Sequence, residues 1–240
     1  MWSSQQIEAV FRELFVPRAD SPLRPEERRK VPELAALLPE IERTGARSLV
    51  DAAAGRAPLG LVAAKLLDLD ELWILEREPA RAERARILGG SLRTRVEVRV
   101  GGVEDHDIWP ERPELVVGLH ACGPASDHIL DACLRTRPRH LLLVPCCYAD
   151  KVPFTEAARA HLDALGVPSQ AGLRRRLIEG LVDAERALRL EAAGYEVDVL
   201  DFVPSSVTPH NKLLRARWFG PSRGRDQAGE RLRRLRTPSA

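Results

Sequence analysis

Short apolar runs alternate with helical patterns along most of this chain, and that alternation restricts the fold more than any other feature of the sequence. A short apolar run bounded by polar or turn-forming residues is typical of a strand buried in a parallel sheet. Such runs predict strands over Ser48–Ala52, Leu72–Leu75, Val96–Val100, Leu115–Leu119 and Leu141–Val144. Apolar residues at helical spacing predict helices over Ser4–Phe15, Glu26–Thr44, Leu59–Leu67, Pro79–Leu88, Ser126–Arg135, Phe154–Leu165 and Leu173–Ala193.

The last two predicted strands are of a different kind, because no helix separates them. Tyr195–Val203 and Lys212–Phe219 are joined only by a polar loop, so they must pair as an antiparallel hairpin. The sequence therefore predicts an α/β fold whose seven-stranded, mostly parallel sheet ends in an antiparallel hairpin. A dinucleotide dehydrogenase would continue with parallel strands instead.

Composition indicates one hydrophobic core. The chain has 240 residues, of which 44% are hydrophobic, and this is enough for a single domain. We expect a helical extension over 1–45, the sheet-forming domain over 46–220 and a disordered basic tail over 221–240. The tail has a surplus of four positive charges while the whole chain has a formal charge of +2, so the body is near −2 and has no uniformly basic face.

The same features bear on location. No apolar run approaches the ~20 residues needed to cross a bilayer, and the N-terminus lacks the basic start and apolar middle of a signal peptide. Four cysteines in a chain of this length do not form a disulfide framework, so reduced thiols are expected. These features predict a cytoplasmic protein with no membrane partner, and we expect a monomer.

The segment after the first predicted strand has the features of a site for a nucleoside cofactor. Asp51–Gly60 forms a turn that contains Gly55, and Glu76 ends the second strand at the separation that a ribose contact requires. Backbone N–H groups of such a turn approach the cofactor, and the acid holds the ribose hydroxyls. After the third strand, Asp105 or its neighbour Glu104 is predicted to reach the adenine, and Asp105 is the residue that we assign.

Polar and sulfur-bearing side chains end the fourth and fifth predicted strands. His120 and Cys122 follow the fourth strand, whereas Cys146 and Cys147 follow the fifth, so neighbouring strands would bring them to one site. His120 suits a general base or an orienting group. A cysteine thiolate that attacks a pyrimidine ring is a second hypothesis. Zinc is a third, disfavoured because no C-x-x-C spacing is present, and simple packing of small buried thiols is the alternative to all three.

Further along the chain, three residues are candidates for contact with a substrate. His210 and Asn211 lie in the loop of the hairpin and are predicted to reach the same site. Tyr148 follows the paired cysteines and is expected to stack on a flat acceptor. Each has a structural alternative, because Asn211 can close its own turn and Tyr148 can simply pack.

Several motifs resemble those of a family of class I S-adenosylmethionine-dependent methyltransferases. They are Leu119-His-Ala-Cys-Gly123, Pro145-Cys-Cys-Tyr148, Thr208-Pro-His-Asn-Lys212, and Arg29-Lys30 with Glu33. The broader group includes tRNA 2′-O-methyltransferases of the acceptor stem. The resemblance extends over roughly residues 28–219 and implies a Rossmann-like fold, S-adenosylmethionine as cofactor, and RNA, particularly tRNA, as methyl acceptor.

The resemblance also implies roles for individual residues. The cofactor would be held by Asp51, Ala53, Gly55, Glu76, Asp105 and His120. Methyl transfer would take place beside His120, with Cys146 and Cys147 in the catalytic site, and no metal is expected. Tyr148, His210 and Asn211 would contact the acceptor.

One departure from the family pattern concerns the turn after the first strand. Family members usually have Asp-x-Gly-x-Gly-x-Gly, whereas this chain has Ala53 and Ala57 at the first and third glycine positions. The methyl group of alanine narrows the space for the methionine end of the cofactor. It also bars the positive φ that glycine adopts at little cost. Because alanine is the mildest such change, we expect cofactor binding to survive but to be weaker. A non-catalytic module that binds RNA or another partner is the alternative interpretation.

Overall fold

The computed structural model describes residues 2–16, 18, 21–146, 148, 152–220 and 224–237. Within these ranges the chain forms one seven-stranded sheet, in the order β3-β2-β1-β4-β5-β7-β6. The strands are β1 (Ser48–Ala52), β2 (Glu71–Glu76), β3 (Arg95–Val100), β4 (Leu115–Ala121), β5 (His140–Pro145), β6 (Tyr195–Asp201) and β7 (Lys212–Trp218). The first five strands of this order pair in parallel, and β7 is antiparallel to both β5 and β6. The predicted fold class and sheet are confirmed.

The helices are also close to the predicted ones. They are α1 (Ser4–Phe15), α2 (Pro25–Thr44), α3 (Pro58–Leu66), α4 (Pro79–Gly89), α5 (Ala125–Thr136), α6 (Thr155–Ala164), α7 (Ala171–Ala192) and α8 (Gly224–Arg236). A short 3-10 helix over His106–Ile108 was not predicted. No helix in the described ranges has the length and apolar character needed to cross a membrane.

The sheet order creates a crevice between β1 and β4. Because the order reverses there, α3 packs with one hydrophobic cluster and α5 with another, on opposite faces of the sheet. Leu49 and Leu72 are fully buried in the first cluster, and Val116 and Leu141 in the second. Ligands of open α/β sheets bind outside the carboxyl ends of the strands at such a reversal. The fold therefore places the candidate ligand site at the turns that follow β1 and β4.

The two N-terminal helices pack on the sheet. Ser3 accepts a hydrogen bond from the N–H of Gln6 and caps α1, and Gly45 ends α2 in the left-handed conformation with a φ of +65°. Their apolar faces, including Ile7 and Leu34, are buried in the cluster that contains β1 and α3. These two helices account for most of the described residues of 1–45 and contribute to the core of the sheet.

The tail requires a correction. Disorder was predicted over 221–240 from its composition, but Gly224–Arg236 forms α8. Ala228, Leu232 and Leu235 recur at helical spacing and give α8 an apolar side, on which Ala228 is 3% exposed. The guanidinium of Arg236 also bonds the buried Glu185 of α7 at 3.1 Å. Periodicity, rather than average polarity, decides the structure of this segment.

Candidate functional site

Two buried carboxylates organise the turn after β1. Oδ2 of Asp51 accepts the N–H of Gly60 at 2.9 Å, at the start of α3. A Cβ atom at position 60 would lie 2.9 Å from that oxygen, so the position requires glycine. Glu76, at the end of β2, accepts the N–H of Gly55 at 2.6 Å and that of Glu78 at 2.9 Å. Burial raises the pKa of the Asp51 carboxyl to about 7.

The backbone of this turn is left-handed at three positions. Ala53, Gly55 and Ala57 have φ values of +55°, +61° and +55°. The expectation that alanine bars a positive φ is therefore wrong, because both alanines adopt the conformation that glycine would supply. A left-handed conformation costs a residue other than glycine about 1–2 kcal/mol, so the turn is strained but keeps its shape.

Two adjoining cavities lie over the strand ends. The first, which we call the β2 cavity, has a volume of about 270 Å³ and is lined by Leu75, Glu76, Gly101, Gly102, Val103 and Glu104, among others. The second, which we call the α2 cavity, has a volume of about 360 Å³ and is lined by Phe11, Phe15, Glu27, Lys30, Asp51 and Arg56, among others. Ala53, Gly55, Arg81 and His120 line both cavities, which therefore meet at these residues.

Asp105 does not take the position predicted for it. Its carboxylate accepts the N–H of Asp107 at 3.1 Å and caps the short 3-10 helix. Glu104, the alternative in the sequence, lines the β2 cavity instead. Of the two acids that the sequence offers, Glu104 rather than Asp105 lines this cavity, and contact of either with an adenine stays a prediction.

His120 occupies an unusual place at the end of β4. The pairing of β4 with β5 shifts register between Leu119 and Ala121, and His120 between them has a φ of +59°. Its Nε2 lies 2.8 Å from Oε1 of Glu33 on α2. Backbone strain of this kind persists only where the surrounding structure holds it, and it is concentrated at functional sites.

The thiols converge as predicted over the described residues. Sγ of Cys122 lies 2.6 Å from Sγ of Cys146, and Sγ of Cys146 lies 3.5 Å from the carbonyl oxygen of His120. Cys147 lies outside the described residues. Burial raises the pKa of Cys133, in α5, well above the ordinary thiol value. The structure thus brings Cys122 and Cys146 next to each other and to the backbone of His120, while their predicted roles in a catalytic site stay a prediction.

The three predicted acceptor contacts lie elsewhere, and none of their side chains lines the β2 or α2 cavity. The Tyr148 hydroxyl donates to Oδ2 of Asp183 at 2.8 Å. The Asn211 side chain donates to the carbonyl of Val203 at 2.9 Å and closes its own loop. The backbone N–H of His210 donates to Oγ1 of Thr208 at 3.3 Å. Their contact with a methyl acceptor stays a prediction.

Beside His120, the structure places α2 residues whose roles the sequence did not specify. Oε2 of Glu33 accepts from Nζ of Lys30 at 3.0 Å, and Glu33 is 3% exposed. The basic and acidic patch before β1 contains both residues and was the available signal, but its contact with His120 depends on how α2 packs. Phe11 and Phe15 of α1, with ring centroids 5.0 Å apart, had no signal beyond a core pattern.

Comparison with known families and proteins gives three findings. Residues 28–151 match a family model described as a methyltransferase domain; the matched range contains Lys30, Glu33, the turn after β1 and His120. The glutathione S-transferase C-terminal domain-containing protein of Mus musculus is 24% identical over 191 residues, 69% of this chain and 29% of that protein. Its Bos taurus counterpart is 32% identical over 119 residues, 41% of this chain and 19% of that protein. The chain thus spans less than a third of the length of these curated relatives.

Solved structures show the same fold at low sequence identity. Trm1 from Pyrococcus horikoshii, in complex with S-adenosyl-L-methionine, superposes with a TM-score of 0.55 at 17% identity, over 90% of this chain and 61% of Trm1. The methyltransferase domain of bacterial CtHen1 gives a TM-score of 0.53 at 13% identity, over 79% of this chain and 97% of that domain.

Proposed function

Because the chain belongs to the methyltransferase domain family, we propose that it is an S-adenosylmethionine-dependent methyltransferase that acts on RNA. The observation that carries the proposal is the meeting of the β2 and α2 cavities at His120, over the ends of β1, β2 and β4. A divided cleft of this kind suits an elongated ligand with two chemically different ends.

The lining of the two cavities fits the two ends of S-adenosylmethionine. In the β2 cavity, the Glu76 carboxylate can accept hydrogen bonds from ribose hydroxyls, since its oxygens have lone pairs beyond those used by the turn. In the α2 cavity, Lys30 and Arg56 can hold a carboxylate, while Asp51 and Glu27 can hold an ammonium group. Both charges of an amino-acid end therefore have partners.

His120 lies where the two cavities meet, and this position defines its proposed role. S-adenosylmethionine supplies an electrophilic methyl group on a sulfonium centre. Methyl transfer is an in-line displacement, so the protein mainly has to align donor and acceptor. His120 is placed to orient the acceptor or to take its proton, and Cys146 supports the backbone of His120 from β5. We assign no bond-forming role to the cysteines.

An RNA acceptor is supported by the motif resemblance and by α8. Arg231, Arg233 and Arg234 of α8 are exposed, and arginine binds phosphates well. Leu235 packs in the cluster of Tyr148, Phe154 and Ile178, so the arginine-rich end of α8 lies near the segment that follows β5. Phosphate contacts made there would add affinity that falls with increasing salt.

Two measurements test the proposal. Calorimetry should detect saturable binding of S-adenosylmethionine and of S-adenosylhomocysteine, and its absence from a folded protein would favour the non-catalytic module. Incubation with methyl-labelled S-adenosylmethionine and total tRNA should then transfer label to RNA. Label found only in protein would contradict the RNA acceptor. Glu83→Ala, which removes an exposed carboxylate of α4, is the control that should leave both results unchanged.

A further inference from the structure

A chain of polar contacts joins the strained end of β4 to α2. Nε2 of His120 lies 2.8 Å from Oε1 of Glu33, and Oε2 of the same carboxylate lies 3.0 Å from Nζ of Lys30. His120 and Glu33 are 87 residues apart in sequence, so the contact exists only because α2 packs over the strand ends. Both oxygens of a nearly fully buried carboxylate are therefore used.

The charge balance shows that Glu33 is held in its ionised form. Burial by itself raises the pKa of a carboxyl, and it is the largest influence on Glu33. The hydrogen bond with His120 and the charge of Lys30 act in the opposite direction and leave the pKa of Glu33 below its ordinary value. A carboxylate with no proton can only accept a hydrogen bond.

That restriction fixes the tautomer of His120. Because Glu33 only accepts, Nε2 of His120 must carry the hydrogen of their shared bond, and the neutral ring then has its lone pair on Nδ1. A carboxylate that bonds one ring nitrogen in this way fixes both the tautomer and the orientation of the imidazole. Lys30 in turn restrains the carboxylate.

We propose that Glu33 is a positioning residue, which holds His120 in the Nε2–H form so that Nδ1 receives the proton of the methyl acceptor. This inference rests on the proposed function. As the acceptor's electron pair forms the new bond to the methyl carbon, the carbon–sulfur bond breaks and its electron pair stays on sulfur. The acceptor's proton passes to Nδ1, and the imidazolium that results lies beside the Glu33 carboxylate.

The proposal also accounts for the position of the residue in the fold. A left-handed residue other than glycine at a register shift is costly, and a histidine there must have a partner that fixes its direction. Glu33 provides that partner from a helix that packs firmly on the core, since Leu34 and Leu38 of α2 are fully buried. The positioning group is thus part of a rigid element.

The test combines a tautomer measurement with kinetics. Nitrogen-15 NMR of histidine-labelled protein should show His120 in the Nε2–H form, and Glu33→Gln should populate both tautomers. Glu33→Ala should lower kcat by ~10–100-fold, while the Kd for S-adenosylmethionine stays within about twofold of the wild-type value. Lys30→Met would perturb the α2 cavity directly and is therefore not used.

Glu40→Gln is the matched control, because Glu40 is an ion-paired carboxylate on the same helix that bonds Arg43 and Arg215. It should leave both the tautomer and kcat unchanged. An Nδ1–H form in the wild type, or a kcat in Glu33→Ala within about twofold of wild type, would overturn the inference. If the wild type binds no S-adenosylmethionine, the proposed function fails, while the NMR comparison with Glu33→Gln still decides whether Glu33 sets the tautomer. Glu33→Gln preserves side-chain size, so the comparison holds even where Glu33→Ala does not fold.

Discussion

The turns after β1 and β4 solve a similar structural problem in different ways. Each places a residue other than glycine in the left-handed conformation, Ala53 and Ala57 in the first turn and His120 in the second. In the first turn the alanine methyl groups only pack, Ala57 within one hydrophobic cluster and Ala53 against the other, so the strain serves no polar chemistry. In the second turn the strained residue carries the imidazole that lies at the junction of the two cavities. Only the strained backbone at His120 serves a function that depends on the side chain of the strained residue.

The buried carboxylates beside these turns differ in the same way. Asp51 accepts one backbone N–H at the edge of the α2 cavity, and burial raises its pKa. Glu33 is also buried, but Lys30 and His120 bond its two oxygens and keep its pKa low. The difference shows that close cationic and hydrogen-bonding partners can outweigh the effect of burial on the pKa of a carboxylate in this cleft.

The largest expected effect is a loss of turnover on substitution of His120, the strained residue of the second turn. His120→Ala should lower turnover by roughly 10²–10⁴-fold, the range expected for losing a general acid–base group, with little change in affinity for S-adenosylmethionine. Steady-state kinetics and calorimetry on the same preparation check both parts. His106→Ala, which changes an exposed histidine of the 3-10 helix, should behave as wild type. Full activity in His120→Ala would show that the strained conformation of His120 has no catalytic function.

The next effect tests the carboxylate difference through pH. A folded-state pKa of about 7 for Asp51, against an ordinary 3.8, stabilises the fold below about pH 4, and this contribution is lost as the pH rises through 7. The loss is on the order of 4 kcal/mol, at ~1.4 kcal/mol per pKa unit. About two of these three pKa units lie between pH 5 and pH 8, so urea unfolding at these two values should show a decrease in the free energy of unfolding of about 3 kcal/mol in wild type that Asp51→Asn lacks.

The contribution of Glu33 has the opposite sign. The pKa of Glu33 is lowered in the folded protein. Its contribution to the free energy of unfolding is therefore present at a pH above the pKa of the unfolded chain, and it is lost as the pH falls through the pKa of the folded protein.

A parallel pH dependence of the free energy of unfolding in wild type and Asp51→Asn would show that the Asp51 carboxyl is ionised in the folded protein. The contrast between the two carboxylates would then disappear.

The features that could be predicted from the sequence are those that depend on residues close together in the chain. The strands were predictable because each apolar run is local, and the hairpin because Tyr195–Asp201 and Lys212–Trp218 have no helix between them. The helix α8 was missed because average polarity was given more weight than the spacing of Ala228, Leu232 and Leu235. In this segment the helical spacing of the apolar residues is the stronger signal.

The candidate site was predictable where it follows from strand ends and unpredictable where it follows from helix packing. His120, Cys122 and Cys146 meet because β4 and β5 are neighbours, which topology implies. The Glu33 contact requires the exact seat of α2 on the sheet, and no local pattern specifies it. Tyr148 turns away because the buried Asp183, which also bonds Arg186, offers its hydroxyl a partner.

A smaller effect is expected at the end of β2. Glu76→Ala should weaken binding of S-adenosylmethionine by about 1.5–3 kcal/mol, as expected for losing charged hydrogen bonds to two hydroxyls. It also frees the N–H of Gly55, so part of the loss would come from the first turn. Calorimetry measures the loss, and Glu83→Ala should show none. An unchanged Kd would mean that the β2 cavity does not hold the ribose.

The smallest effect bears most directly on whether the strain in the first turn is incidental. Ala53→Gly should raise the free energy of unfolding by about 1 kcal/mol, because glycine adopts a φ near +55° without the steric cost of Cβ. Ala57→Gly gains the same relief but loses a fully buried methyl group, worth ~0.8 kcal/mol, so its stability should stay close to that of wild type. Glycine normally destabilises, and Ala160→Gly on the exposed side of α6 should cost about 0.5–1 kcal/mol. Affinity for S-adenosylmethionine should stay equal or rise, since methyl groups leave the junction of the cavities. If both turn variants destabilise the fold as Ala160→Gly does, the packing of the two alanine methyl groups outweighs the backbone strain. The strained side chains would then be needed in the first turn, as the imidazole of His120 is in the second.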